Sequence, residues 1–434
     1  MNRAAIRRIP ALVAAITIIA VPGDAVAQAG NGEDGPFLLR GATVVTVSGP
    51  RMANTDVLIR DGMIAEIGQN LQAAGVLEFD ATGMFVYPGM MNGYTSIGLS
   101  DIGSVQTMNL TSELGDFNPN NRALVALNVE TQMIPVTRAN GVTHVVTAPS
   151  GGVMPGQAAV INLEGWTWED LAVSPSAAFV INYPNTGGGG GGRGGFGGRG
   201  GAGGGERAAE AINELKNLLR TAQAYDAMRS GEDGEFNLKL ESMRPLVRGE
   251  TLALVSANSQ EQIEGAMMLA DSFGLKVAVL GGNEAWKVRN ELARRNVPVV
   301  LGSIQSTPSG TAPYDAIYAQ PGILRRAGVK IAFSTGGTSS ARHLPYNAAL
   351  SVAYDLDPDD ALRALTLWPA EIFGIADQVG SIEVGKKANL FIADGDPLDV
   401  RTHMLEVFID GKRIPHDDRH FQLYEKWNGR PVRR

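Results

Sequence analysis

Hydrophobic and polar residues follow short β-type patterns near both ends of the chain. Between residues 37 and 86, and again between 380 and 414, short apolar runs are separated by tight turns such as Asp410-Gly411, a dipeptide that favours hairpins. Each cluster holds too few strands to enclose a core alone. We therefore predict that strands from both chain ends pair into one small composite β-sandwich.

Between these clusters, nearly continuous apolar runs alternate with helical stretches. The clearest runs cover residues 141–146, 251–255, 276–280, 297–301 and 329–333. Runs of this kind are typical of parallel strands that are buried on both faces. The segments 259–273 and 283–295 predict helices between them. Over roughly 290 residues, this alternation predicts an α/β fold of the closed (β/α)8 TIM-barrel type.

The first residues have the pattern of an export signal. A positive segment with three arginines precedes an apolar stretch over residues 9–21, and small residues at 25–27 offer a cleavage site. The apolar stretch is shorter than the roughly 20 residues that span a bilayer. We predict a signal peptide over 1–27 and an exported, soluble protein, periplasmic or extracellular, without a membrane span. An uncleaved membrane anchor is the alternative.

The remaining chain divides into four parts. Residues 28–87 and 376–415 form the two halves of the β-sandwich, residues 88–375 form the barrel, and residues 416–434 form a tail. One insertion in the barrel, residues 187–205, has fifteen glycines in nineteen positions. Glycine provides no apolar surface on which such a segment could fold, so we predict a flexible surface loop.

Charge and residue usage narrow the function classes. The formal net charge is −8, which opposes a nucleic-acid surface built on bulk basicity. The glycine-rich insertion resembles an arginine–glycine RNA-binding box, but its two arginines offer little counterion release. The chain has no cysteine, which excludes a disulfide scaffold, a thiolate metal site and a thiol nucleophile. Histidine is scarce, and the five are His144, His343, His403, His416 and His420.

Three segments carry a family resemblance. Residues 85–99 (FVYPGMMNGYTSIGL), 366–370 (TLWPA) and 380–390 (GSIEVGKKANL) are similar to the first barrel strand and the C-terminal signatures of the amidohydrolase superfamily. The nearest branch is that of the imidazolonepropionase-like exported hydrolases, and the resemblance covers residues 37–415. It implies a TIM barrel with a composite β domain. It also implies hydrolysis of cyclic or non-peptide C–N bonds with one or two divalent ions, usually zinc.

The resemblance further implies where metal ligands would stand. They are a His-x-His pair on the first barrel strand, histidines after the fifth and sixth strands, and an aspartate after the eighth. Here Tyr94 and Ser96 occupy the first pair, Asn258 follows the fifth strand, GNE at 282–284 follows the sixth, and Gly336 replaces the aspartate. Serine, asparagine, glycine and neutral tyrosine are poor zinc ligands, and Glu284 is a single carboxylate among them. We therefore predict no bound metal, no cofactor and no catalytic residue of the family.

Seven side chains are predicted to line a polar, metal-free pocket, because barrel strand ends face the mouth. They are Asn92, Tyr94, Ser96, Asn258, Asn283, Glu284 and His343. By contrast, His144 lies within an apolar run and is predicted to be a core residue.

Two functions stay open. The first is a catalytically impaired protein that binds a small ligand or serves as a partner subunit. Such a subunit would form a homo-oligomer, or a hetero-oligomer with an intact amidohydrolase. The alternative is an active C–N hydrolase that uses a metal site outside the family positions, or no metal. The third hypothesis is a protein that has lost its ancestral function by sequence drift and whose barrel mouth is collapsed and filled with water.

Overall fold

The computed structural model describes residues 32–101, 105, 108–185, 204–229, 235–306 and 312–431. The predicted signal peptide, 1–27, and the glycine-rich insertion up to residue 203 lie outside these ranges. The described strands are β1 (Phe37–Val44), β2 (Met52–Arg60), β3 (Met63–Gly68), β4 (Leu77–Asp80), β5 (Phe85–Pro88), β6 (Met90–Thr95), β7 (Val142–Thr147), β8 (Gly156–Asn162), β9 (Ala172–Asn182), β10 (Leu252–Ala257), β11 (Val277–Gly281), β12 (Val299–Leu301), β13 (Ile331–Phe333), β14 (Leu390–Ala393), β15 (Met404–Ile409) and β16 (Lys412–Ile414).

The described helices are α1 (Met133–Arg138), α2 (Trp168–Leu171), α3 (Gly204–Arg229), α4 (Leu238–Val247), α5 (Gln260–Phe273), α6 (Arg289–Arg294), α7 (Ala316–Arg326), α8 (Leu344–Val352), α9 (Pro358–Leu365), α10 (Leu367–Ile372) and α11 (Arg419–Asn428). Within the described ranges, no helix combines the length and the apolar character needed to cross a membrane.

Strands β6 to β13 form the barrel, in the same order in the sheet as in the sequence. This confirms the predicted α/β TIM-type fold, with one interruption of the regular repeat. Strand β8 runs antiparallel to both of its neighbours. Only residues 148–155 connect β7 to β8, which is too short for a parallel crossover. Gly151 and Gly152 turn this connection with φ angles of 85° and 59°.

Both chain ends contribute to a second, mixed sheet, as predicted. Its strand order is β16-β15-β14-β5-β1-β2-β3, with β4 beside β1. The antiparallel pair of β5 and β14 joins the N-terminal strands to the C-terminal ones. Gly89 leads from this sheet into the barrel, where a Cβ atom would lie 2.0 Å from Thr143 Oγ1. A side chain at this passage would clash, so the junction requires glycine.

The barrel interior is filled by small and branched apolar side chains that alternate along the strands. They are Met91, Val146, Ala148, Ala158, Val160, Ala178, Val180, Leu254, Ala278, Leu280, Val300 and Ala332. Phe373, Ile375 and Val379 belong to the same buried cluster. The interior is therefore a packed core, and a ligand site has to lie above it, at the strand ends.

Helix α5 shows how local sequence positions one of these strand ends. Ser259 Oγ accepts a hydrogen bond from the backbone N of Gln262 (3.2 Å), and the Gln262 side chain accepts one from Ser259 N (3.1 Å). This reciprocal pair is a capping box. Gly274 ends the helix with a φ of 66°. The helix predicted over 259–273 is confirmed, and its start fixes the adjacent Asn258.

Candidate functional site

Asn92 bridges the seam between the first and the last barrel strands. Its Nδ2 donates to Thr335 Oγ1 (2.8 Å), and its Oδ1 accepts from Thr335 N (3.2 Å). The backbone N of Gly336 donates to Tyr94 O (3.2 Å) at the same seam. The Asn92 side chain is fully buried, and its two bonds hold β6 against the loop that follows β13.

Tyr94 covers the apolar interior at the end of β6. Its side chain packs against the interior cluster, and burial raises the pKa of its hydroxyl. The phenol therefore stays neutral at ordinary pH and keeps its donor proton. The preceding Gly93 lets β6 approach its neighbours, because a Cβ there would lie 2.9 Å from Val300 Cγ1 and 3.1 Å from Phe333 O.

Hydroxyl groups continue the seam beyond Tyr94. Ser96 Oγ lies 2.9 Å from Thr338 Oγ1, and Thr95 Oγ1 donates to Gly337 O (3.4 Å). Ser340 Oγ donates to Gly337 O as well (3.2 Å). These groups bond to one another across the first and last strands, so Ser96 is already engaged.

The structure brings Asn258, Asn283 and Glu284 together at the ends of β10 and β11. Asn258 lies over Gly281, where a Cβ would be 2.4 Å from its Oδ1. Its carbonyl accepts from Glu284 N (2.9 Å). Both asparagines are exposed. They form a pair of solvent-facing amides on adjacent strand ends.

Glu284 holds the loop after β11 against the start of α5. Its Oε2 accepts from Gln260 N (2.9 Å), and its Oε1 accepts from Lys287 Nζ (2.7 Å). Burial alone would raise the pKa of Glu284, but the bonds from Lys287 and Gln260 outweigh it and lower the pKa. The carboxylate therefore stays ionised and has the partners of a structural group.

His343 has its contacts in another part of the fold. Its ring centroid lies 6.2 Å from that of Tyr346. Burial, then Arg342 and His420 of α11, lower the pKa of His343. The neighbouring Arg342 carbonyl accepts from Asn140 Nδ2 (2.6 Å), just before β7 begins. None of these contacts joins His343 to the strand-end amides.

The seam residues after β13 were not among the predicted site residues. Thr335 and Thr338 bond directly to Asn92 and Ser96, yet the sequence marks them only as a run of serine, threonine and glycine over 334–340. Such a run directly after an apolar strand is the one local signal that points to them. No local sequence pattern marks Lys287, whose ammonium group donates to Glu284.

The strand-end residues do not fit the metal ions that the family resemblance implies. Among the described residues, no three His, Cys, Asp or Glu side chains form a group that could hold an ion. A catalytic zinc takes three such ligands. We therefore derive no step through a metal ion.

Comparison with known structures supports the fold. The crystal structure of an amidohydrolase from Thermotoga maritima MSB8 superposes with a TM-score of 0.78 at 24% sequence identity, covering 87% of this chain and 99% of that one. The two chains thus share a closed barrel with a composite β domain. The model of the amidohydrolase family matches residues 315–418. Residues 315–418 of this chain are therefore similar to the amidohydrolase family, and the fold of the whole chain is similar to that of an amidohydrolase.

Two characterised relatives match shorter segments. An N-substituted formamide deformylase from Arthrobacter pascens is 38% identical over 80 residues, 17% of this chain and 15% of that protein. A 5-methylthioadenosine/S-adenosylhomocysteine deaminase from Thermodesulfovibrio yellowstonii is 30% identical over 114 residues, 23% of this chain and 24% of that protein. The chain thus matches less than a quarter of the length of each relative.

Proposed function

We propose that this chain is a metal-free member of the superfamily that binds a small amide-type ligand at the barrel mouth without hydrolysing it. One observation carries the proposal. The family's ligand positions on the first strand hold a half-buried Tyr94 that packs on the barrel interior and a Ser96 that is bonded to Thr338. The position after the last strand is Gly336, whose backbone closes the seam.

The state of the Glu284 carboxylate supports the proposal that the bound ligand is not hydrolysed. Hydrolysis of an amide needs a water molecule activated by a metal or by a base with a pKa near neutrality. Glu284 is the carboxylate of the amide cluster, and its pKa is lowered by bonds from Lys287 and Gln260. A carboxylate in this state is a weak base, and both of its oxygens are already bonded.

The two exposed amides support the ligand class. Asn258 and Asn283 each present a donor and an acceptor, which suits a ligand with paired N–H and C=O groups. The Tyr94 hydroxyl, at the end of β6, stays neutral because burial raises its pKa. Two proteins to which segments of this chain are similar are named for amide compounds, the N-substituted formamide deformylase and a D-hydantoinase from Geobacillus stearothermophilus.

Calorimetric titration with hydantoins, N-substituted formamides and dipeptides tests this function. We expect at least one class to bind and no product to form in metal-free buffer. Replacing Asn258 and Asn283 by alanine removes two ligand hydrogen bonds, each worth about 1 kcal/mol, and should weaken binding about thirty-fold.

Asn290→Ala is the matched control, because Asn290 is an exposed asparagine on α6. It should leave the affinity unchanged. Turnover of any of these compounds without added metal would overturn the proposal. Equal loss of affinity in the control and the double variant would also overturn it.

A further inference from the structure

The C-terminal helix α11 exposes an apolar face. Phe421, Leu423, Tyr424 and Trp427 are 41%, 40%, 65% and 59% exposed. With 3.6 residues per turn, these side chains cover one side of the helix. The opposite side carries Arg419, Gln422, Glu425 and Lys426. The helix is amphipathic, and its apolar side faces solvent.

Packing within the chain does not account for this helix. None of the residues of α11 is buried, and isolated helices of this length are marginal in water. Its start is fastened by Asp418, whose carboxylate accepts from the backbone N of His420 (2.8 Å) and of Phe421 (3.3 Å). Asp418 itself is buried. Among the described residues, none buries the apolar side of α11, which leaves that side open to a further surface.

Charge identifies that surface as anionic. Residues 419–434 contain five arginines and lysines against one glutamate, a net charge of +4 in a chain of net charge −8. The cations of Lys426 and Arg430 lie 5.9 Å and 5.7 Å from the ring centroid of Trp427. Pairing with the same helix of a second copy would bring two positive segments together, which costs free energy.

We propose that α11 is a docking element for an anionic lipid surface, with its aromatic side in the interface. Helices that lie in a bilayer interface have Trp, Phe or Leu on one side and Lys or Arg on the other. Tryptophan and tyrosine favour the headgroup level. The negative remainder of the chain is repelled by anionic lipid, so the attraction acts on this segment and orients the barrel away from the bilayer.

Vesicle flotation with the purified full chain tests the proposal. Vesicles of phosphatidylcholine alone are compared with vesicles that also contain phosphatidylglycerol. We expect binding to the anionic vesicles, and about thirty-fold weaker binding for Lys426→Gln plus Arg430→Gln, at about 1 kcal/mol for each cation. Added salt should weaken the binding of the unmodified protein more than that of the double variant.

Two matched tryptophans separate docking by α11 from other contacts. Trp427→Ala should weaken binding about tenfold or more, since burying a large apolar side chain accounts for that much. Trp166→Ala is the control, because Trp166 is 62% exposed elsewhere on the surface. Every variant is otherwise identical to the unmodified protein, so a difference between them reports on the helix.

Three results would overturn the proposal. The first is equal binding of the two tryptophan variants, and the second is binding that does not depend on anionic lipid. The third is a concentration-dependent dimer that Trp427→Ala abolishes, which would assign the aromatic side to a second copy. The proposal is independent of the barrel mouth, so its failure leaves the proposed function standing.

Discussion

Replacing Arg138 by methionine should destabilise the protein by about 3–5 kcal/mol, the range found when one partner of a buried ion pair is removed. The side chains of Arg138 and Glu164 are only 1% and 3% exposed, and Arg138 Nη1 lies 2.5 Å from Glu164 Oε2. Arg138 Nη1 also donates to Leu163 O (3.0 Å). Burial lowers the pKa of Arg138, while Glu164, Asp417 and Asp418 raise it.

The size of the effect follows from what the substitution leaves behind. Glu164 Oε1 accepts from Gly32 N (2.9 Å), so the carboxylate stays in place, buried and without its cation. Urea unfolding measures the loss. Glu164→Gln in the same chain removes the orphaned charge and keeps an acceptor for Gly32, so the double variant should recover more than half of the lost stability.

Arg294→Met is the matched control for this prediction. Arg294 is paired with Glu291 at 2.6 Å, but its side chain is 67% exposed. Exposed pairs contribute about 0–1 kcal/mol, so the control should unfold close to the unmodified protein. A loss below about 1 kcal/mol in Arg138→Met itself would contradict the account of a buried pair.

Acid should destabilise the protein between about pH 6.5 and pH 4 through His144. This histidine lies on β7 and is buried. Its Nδ1 is 2.8 Å from Thr143 Oγ1, and its Nε2 is 3.3 Å from Asn389 Nδ2, next to β14 of the mixed sheet. Burial lowers the pKa of His144 to about 4. Asp410 opposes this shift, whereas Lys387 adds to it.

The sign follows from proton uptake. Below pH 6.5 the unfolded chain protonates this imidazole, whereas the folded chain keeps it neutral until about pH 4. The unfolded state therefore binds more protons in this window, and stability falls as the pH falls. The contribution reaches about 3 kcal/mol at the acidic end.

Unfolding free energies measured across this window test the prediction. His144→Gln removes the titration, so its stability should depend less steeply on pH than that of the unmodified protein. His403→Gln is the control, because the His403 side chain is 77% exposed and its pair with Asp394 lies at the surface, where such pairs contribute about 0–1 kcal/mol. Parallel pH dependences for His144→Gln and the unmodified chain would contradict the account.

The fold could be predicted because its signals are local. Apolar runs, caps and turn dipeptides specify single elements, and α5 begins and ends at its capping residues. The antiparallel direction of β8 does not follow from its apolar pattern, because a strand buried on both faces reads the same in either direction. The length of the connection at 148–155 is the only local trace of that direction.

The candidate site depended on partners that are distant in the sequence. Asn92 and Thr335 are separated by 243 positions, so no local pattern shows that the asparagine bridges the barrel seam. We predict His343 at the mouth from its place after the eighth strand, and the structure places its ring 6.2 Å from that of Tyr346, a neighbour in its own segment. Strand position predicts which end of the barrel a residue approaches, but not which neighbour binds its side chain.

Metal content tests the central claim most directly. The protein is purified, loaded with excess zinc, dialysed and analysed by elemental mass spectrometry. Tyr94, Ser96, Asn258, Asn283 and Gly336 offer no three ligands for an ion, so we predict less than about a tenth of an equivalent of zinc per chain. About one tightly held equivalent per chain would contradict the account and restore the hydrolase interpretation.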